Sequence, residues 1–283
     1  MKQAVLLLAH GAPERLDDIE SYLFCVRGGR PAAPAVVAEV RQRYAAIGGS
    51  SPLLHWSRTQ AEALRRSLGL PVFLGMRNWH PFIRETMEAV RSQGIEQLAA
   101  ICMAPQYSAM SVGLYMRHTT EAAAGLDLRW ARSLHDDPLL IAAFAERLAP
   151  IVSGRRVIFT AHSLPAPALA PGDPYDQECR ATAAAVAARL ALERWDFAYQ
   201  SQGMTGGDWL GPTVESLLDT CAGEVVIAPI GFVCDHVEIL YDIDIHFRNY
   251  AAARGVKLFR PESLNDSPTF TAALAGIATR CLS

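Results

Sequence analysis

Two short stretches decide the fold: Leu8-Ala9-His10-Gly11-Ala12-Pro13 near the start, and Thr160-Ala161-His162-Ser163-Leu164-Pro165 past the middle. Each follows a mainly apolar run, Ala4 to Ala9 in one case and Arg156 to Ala161 in the other, and each reads Ala-His-x-x-Pro. Working outward, similar runs recur at 71–76, 97–103 and 126–132 after the first stretch, and at 196–201, 224–230 and 256–260 after the second. Continuous apolar strands separated by helix-length segments describe parallel sheets covered on both faces. The intervening segments have helical spacing: 81–93 places Phe82, Ile83, Met87 and Val90 on one side before Gly94, and 176–191 is rich in alanine. The third run of each set ends in Ala-Pro (Ala104-Pro105 and Ala228-Pro229), with Tyr115 and Tyr241 some way beyond.

The repeat predicts an α/β protein of two similar halves, each a four-stranded parallel sheet flanked by helices. The boundary is expected near Pro138 to Gly154, giving halves 1–138 and 139–283, with the C-terminal helix (268–283) packing back on the first half. Ligands of open parallel sheets bind beyond the carboxyl ends of strands. His10 and His162 are therefore expected to face a cleft between the halves.

Composition narrows the function. Charged residues are 19% of the 283, below the roughly 25% usual for soluble domains, so charge is concentrated on a limited surface or in a site. A net charge of −3 offers no basic field for nucleic acid and no polybasic run for an anionic membrane. The N-terminal apolar run stops at His10-Gly11, too short for a signal-peptide core, and no apolar stretch is long enough to span a bilayer. A cytoplasmic location is the expectation. Cys25, Cys102, Cys179, Cys221, Cys234 and Cys281 are scattered without a C-x-x-C pair, which argues against a disulfide framework or a zinc or iron–sulfur ligand set. No glycine-rich phosphate cradle follows the first strand. Ser163 lacks the nucleophile-elbow context and reads as a turn hydroxyl.

The chemistry gathers between Gly231 and Phe247. Asp235 is suited to N-cap a helix beginning near His236. On that helix Glu238, Asp242 and His246 recur at every fourth position and form one stripe. An acidic stripe is ordinarily a solvated face. Here Val237, Ile239, Leu240, Tyr241, Ile243, Ile245 and Phe247 occupy the other directions, so the helix is expected to be buried. Buried carboxylates need a cation, a proton or hydrogen bonds. A strand-end imidazole facing such a carboxylate suits either a divalent transition metal or proton transfer near neutral pH. Earlier, Arg27, Arg43-Tyr44 and Ser51 lie near glycine turns and are suited to holding carboxylates, or else form solvated surface. Trp209, in Asp208-Trp209-Leu210-Gly211-Pro212, reads as core when taken alone.

These motifs together resemble the ferrochelatase family over nearly the whole chain. The matching stretches are Ala161-His162-Ser163-Leu164-Pro165, the Asp208–Pro212 motif, and Gly231-Phe232-Val233-Cys234-Asp235-His236-Val237-Glu238-Ile239-Leu240-Tyr241-Asp242. The resemblance implies a lyase that inserts ferrous iron into a porphyrin in haem synthesis, built as two Rossmann-like halves with the macrocycle between them. It implies His162 and Glu238 as the catalytic and iron-site pair, Asp242 and His246 as a relay for protons or metal, and Trp209 as a pocket wall. The segments from Asp17 to Arg27 and from Arg43 to Pro52 resemble the coproporphyrin-using branch. By that likeness His10, Arg27, Arg43, Tyr44, Ser51 and Tyr115 contact the ring or its propionates, and coproporphyrin III is favoured over protoporphyrin IX. Iron is then substrate; no tightly bound cofactor or iron–sulfur cluster is expected, and the protein is expected to act as a monomer on a tetrapyrrole. Two positions depart from the branch: His10 stands where tyrosine is usual, and His246 where an acid is usual, which weakens an outer site for a hard cation. The alternatives are a cobalt or sirohydrochlorin chelatase, favoured by His10 and opposed by Arg27, Arg43, Ser51 and Trp209, and a haem carrier, in which the helix acids would have little purpose.

Overall fold

Val5, Leu6, Leu7 and Leu8 are all completely buried, which an alternating half-exposed strand would not allow. Both faces of the strand they form are covered. Leu6 and Leu8 pack with Ile83, Met87 and Val90 on one face, while Val5 and Leu7 join Leu64 and Ile101 on the other. The computed structural model describes residues 1–123, 125–203 and 207–283.

The first sheet consists of β1 (Gln3–Ala9), β2 (Val72–Met76), β3 (Gln97–Cys102) and β4 (Asp127–Ala131). The second consists of β5 (Arg156–His162), β6 (Trp195–Gln200), β7 (Glu224–Ala228) and β8 (Lys257–Phe259). Their orders are β2-β1-β3-β4 and β6-β5-β7-β8, and every pairing is parallel. The two orders are one topology written twice, an α/β fold of two four-stranded parallel sheets flanked by helices. Each strand predicted from sequence is present with ends moved by a residue or two. Strand β6, for example, stops at Gln200 because Ser201 takes a left-handed φ of 60°.

Helices α1 (Ile19–Val26), α2 (Pro34–Ala46), α3 (Leu53–Leu68), α4 (Ile83–Ser92) and α5 (Val112–Ala122) belong to the first half. They are followed by α6 (Pro138–Leu148), α7 (Tyr175–Arg189), α8 (Val214–Leu218), α9 (Val237–Leu240), α10 (Arg248–Ala252) and α11 (Pro268–Leu282). Helix α11 packs against α3, β3, β4 and α6, where Phe270, Leu274 and Ile277 enter a core shared with Val5, Phe159 and Tyr199. Among the described residues no helix is long and apolar enough to cross a membrane.

In each sheet the strand order reverses beside the first strand, between β1 and β3 and between β5 and β7. A crevice opens at the carboxyl ends of such a pair. His10 follows β1 and His162 ends β5, so the topology brings both to crevices of the same kind.

Candidate active site

Both strand ends line one cavity of about 240 Å³. The chain approaches itself closely at each. Gly11 has φ +87°, and a Cβ there would lie 2.6 Å from the Trp79 nitrogen; a Cβ on Gly231 would lie 2.8 Å from the Ala161 Cα. Only glycine permits either contact without displacing the backbone. Gly231 thereby lets the chain leaving β7 lie against the end of β5, next to His162.

His162 donates from Nδ1 to the Ser163 carbonyl, and its own carbonyl accepts from the Tyr175 hydroxyl at 2.8 Å. These contacts direct Nε2 toward Glu238, whose Oε1 lies 3.4 Å away. The other Glu238 oxygen lies 3.5 Å from His236 Nε2. Burial alone would lower the His162 pKa, but the Glu238 carboxylate outweighs it and raises the imidazole above its usual range. Burial likewise opposes the Glu238 charge, yet His162 and then His236 hold that carboxyl well below its usual range. The pair is therefore a half-buried imidazolium–carboxylate unit facing the cavity.

His10 is the opposite case. Its Nδ1 lies 3.0 Å from the Gly11 carbonyl and 3.3 Å from the Tyr22 hydroxyl, while Nε2 lies 3.0 Å from the Asn78 amide nitrogen. Donation from Nδ1 to Gly11 leaves Nε2 to accept from Asn78, the tautomer this network selects. Burial, reinforced by the Arg77 cation, lowers its pKa to about 4, so it is neutral at physiological pH.

Of the residues expected at the site, His10, Tyr44, Ser51, Tyr115, His162 and Glu238 line the cavity. Burial raises the phenols of Tyr44 and Tyr115, which keeps both as hydroxyl donors. Arg43, Asp242 and His246 instead line a neighbouring groove of about 330 Å³. There Arg43 is held by Glu39 at 2.5 Å and approaches Asp242 at 3.7 Å, with Tyr241 beneath its guanidinium. Asp242 accepts from Ser201; burial outweighs that hydrogen bond, and the neighbouring Glu238 adds to it, so its pKa is raised. His246 contacts Glu215 at 3.1 Å, and that hydrogen bond raises its pKa.

The described cavity walls do not include Arg27 or Trp209. Arg27 sits at the end of α1, its buried Nε without a hydrogen-bond partner among the described residues. Trp209 is half-buried, bridged to Pro165, with its ring over Gly203.

The cap expected from Asp235 is not formed. His236 occupies the N-cap position with extended backbone, because the Asp235 carboxylate is already engaged by Arg260, Ser263 and Asn265. Helix α9 runs for only four residues and passes at Asp242–Phe247 into a π turn, in which the His246 N–H reaches the Tyr241 carbonyl at 2.9 Å. The expected single stripe is therefore divided, with Glu238 facing the cavity and Asp242 and His246 facing the groove. π turns inside helices commonly occur at functional sites.

Among the cavity residues that the sequence reading gave no role are Tyr22, Arg77, Tyr175 and His236. Arg77 immediately follows β2, so the strand-end rule that selected His10 would have found it. Its guanidinium lies 5.0 Å from the centre of the Tyr115 ring, and its buried Nη1 has no hydrogen-bond partner among the described residues. His236 lies two residues before Glu238, inside the motif already singled out.

Two repeated parallel sheets with a His–Glu pair in an apolar cavity between their carboxyl ends define a chelatase-like α/β protein. The sirohydrochlorin chelatase SirB from Bacillus subtilis subspecies spizizenii in complex with cobalt shares this fold: TM-score 0.60 at 13% identity, covering 99% of this chain and 95% of that one. The ferrochelatase family profile matches residues 2–282. The ferrochelatase of Acidobacterium capsulatum is 46% identical, over 98% of this chain and 94% of that protein. The coproporphyrin III ferrochelatase of Geobacillus sp. strain WCH70 is 32% identical, over 99% and 97%. The chain belongs to the ferrochelatase family, lyases that insert ferrous iron into a porphyrin in haem biosynthesis.

Proposed function

We propose that the cavity holds coproporphyrin III and that His162 and Glu238 carry out iron insertion at its centre. The observation that carries this reading is the His162–Glu238 pair, 3.4 Å apart and aimed into a cavity walled by Met103, Met110, Leu53 and Leu164. The likeness to coproporphyrin III ferrochelatases supports the choice of ring.

A free-base porphyrin carries two central N–H protons, which must leave as the iron–nitrogen bonds form. The products are the metalloporphyrin and two protons. The His162–Glu238 unit is suited to this exchange, because an incoming Fe²⁺ and the shared proton compete for the same lone pairs. As iron approaches, the pair gives up its proton to solvent in the cavity, and as iron passes on to the ring nitrogens the imidazole and carboxylate it leaves are bases for the two pyrrole protons. Asp242, one turn further on and buried with a raised pKa, is placed to pass protons toward the groove and His246. The apolar walls hold the ring, and Arg77, whose Nη1 has no partner among the described residues, is proposed to receive a ring carboxylate; Ser51 and Tyr115 add hydroxyls, and Arg27 is proposed as a further contact from outside the described cavity wall. Binding energy from these remote contacts would offset a ring distortion costing about 1–5 kcal/mol. The reading keeps a monomer acting in the cytoplasm.

The test is anaerobic insertion by His162→Ala and Glu238→Gln, with coproporphyrin III, protoporphyrin IX and sirohydrochlorin offered with Fe²⁺ and Co²⁺. Loss of insertion in both variants and a wild-type preference for iron and coproporphyrin are expected. Wild-type rates in both variants would overturn the site assignment, and a preference for sirohydrochlorin would overturn the substrate.

A further inference from the structure

We propose that Arg260 is the positioning residue for Glu238, holding the helical turn α9 from both flanks by a two-carboxylate clamp. The inference rests on the reading of Glu238 given above.

Helix α9 has four residues, and no side chain caps its N-terminus among the described residues. It is the first turn of a helical run that passes through the π turn at Asp242–Phe247 into α10, so the run changes its winding just after Glu238. The placement of Glu238 therefore depends on the buried Ile239 and Ile243, on Gln200 Nε2, which donates to its carbonyl at 2.9 Å, and on the polar contacts on either side of it. Those contacts converge on Arg260, just past β8, whose side chain is only 11% exposed. Its Nε and Nη2 grip the two oxygens of Asp244 at 2.9 and 2.7 Å, a bidentate pairing inside the π turn that follows Glu238. Its Nη1 reaches Asp235 at 3.2 Å, on the segment that precedes Glu238. Asp235 in turn takes hydrogen bonds from Ser263 at 2.7 Å and Asn265 at 2.9 Å. The Asn265 carbonyl accepts from Gln60 Nε2 at 2.9 Å, on α3 of the first half, so the clamp is tied across the molecule.

None of Arg260, Asp235 and Asp244 is among the described cavity or groove walls. The guanidinium thus acts on the reaction only through the backbone it holds. A planar fork suits this role because it fixes two carboxylates in direction as well as distance, which an ammonium does not. Displacement of a reacting group by about 1 Å can cost on the order of 100-fold in rate.

The experiment uses the full chain. Arg260→Lys keeps the charge that the two part-buried aspartates share and removes the fork, so it avoids leaving both carboxylates without that cation, which would threaten folding. The expected result is a fall in kcat of about tenfold or more, a raised KM for Fe²⁺, and a porphyrin Kd, read by fluorescence quenching, within about twofold of wild type. Asp244→Asn is the second variant and is expected to shift the same parameters in the same direction. The decisive arm is the double variant Arg260→Lys with Glu238→Gln: if Arg260 acts through Glu238, it is no worse than Glu238→Gln alone. Additive losses, an unchanged kcat in both clamp variants, or a porphyrin Kd that rises in step with the loss of insertion would each overturn the clamp. Wild-type insertion by Glu238→Gln would instead overturn the reading on which it rests.

Discussion

The ends of β1 and β5 carry the same Ala-His-x-x-Pro sequence, occupy the same place in the same topology and face the same cavity. They nevertheless hold their histidines in opposite states. His10 has Arg77 nearby and both ring nitrogens bonded within its own half, and it is neutral. His162 has Glu238 on Nε2 and is held as the cation. Position comes from the repeated strand, and charge comes from whichever side chain the other elements deliver to it. A duplicated scaffold can thus supply two imidazoles to one cavity and assign them different work.

The largest effect expected from this contrast is on turnover. His162→Ala should lower iron insertion by about 10²- to 10⁴-fold, the range for loss of a positioned acid–base group, while His10→Ala should cost less than about tenfold. Stopped-flow or steady-state rates under anaerobic conditions decide it, and equal losses would end the asymmetry. Next comes Arg77→Leu, which should weaken porphyrin binding by about 10- to 100-fold if it removes one charge-assisted hydrogen bond. The same change should raise the His10 pKa, read by NMR titration of the imidazole; an unmoved His10 would mean burial alone sets its charge.

The close approaches beside the histidines give a third pair. Gly11→Ala and Gly231→Ala each force a Cβ onto backbone atoms and should lower stability by about 1–3 kcal/mol. Gly11→Ala should be the worse, since its φ of +87° adds strain. Thermal denaturation of the two variants ranks them.

A fourth test concerns acid. Because the folded pKa of His10 is lowered to about 4, its contribution to stability is complete above the unfolded value near 6.5 and is lost as pH falls through the folded one. His10→Gln should therefore show a smaller drop in Tm than wild type between pH 7 and pH 5, by the equivalent of about 1 kcal/mol or more. The smallest effect belongs to the groove: His246→Ala removes a half-exposed contact with Glu215 and should change stability by less than about 1 kcal/mol.

Much of the fold was legible because its strands are covered on both faces and so read as unbroken apolar runs, as in Val5 to Leu8 or Val157 to Phe159. The repeat was legible for the same reason: a topology used twice imposes the same strand endings twice. Within the site, His162 and Glu238 stood out because an acid among apolar residues has few harmless explanations. What could not be read were choices between partners distant in sequence. Asp235 had a local use as a cap, but Arg260, Ser263 and Asn265 take it. The carboxylates of Asp242 and Glu39 that the fold brings beside Arg43 were equally out of view. Arg77 was within reach of the strand-end rule, but its meaning lies in having a buried Nη1 without a partner among the described residues.

Helix α11 has a consequence for how the protein is made. It fills a core against α3, β3 and β4, and the Leu282 carbonyl accepts from Gln3 Nε2 at 3.1 Å, at the start of β1. The first half therefore cannot finish its core while the ribosome is still translating the second. Until synthesis has passed residue 282, the side of the first sheet that awaits Phe270, Leu274 and Ile277 stays open, and a nascent chain stalled before that point would present its apolar surface to chaperones rather than to a substrate.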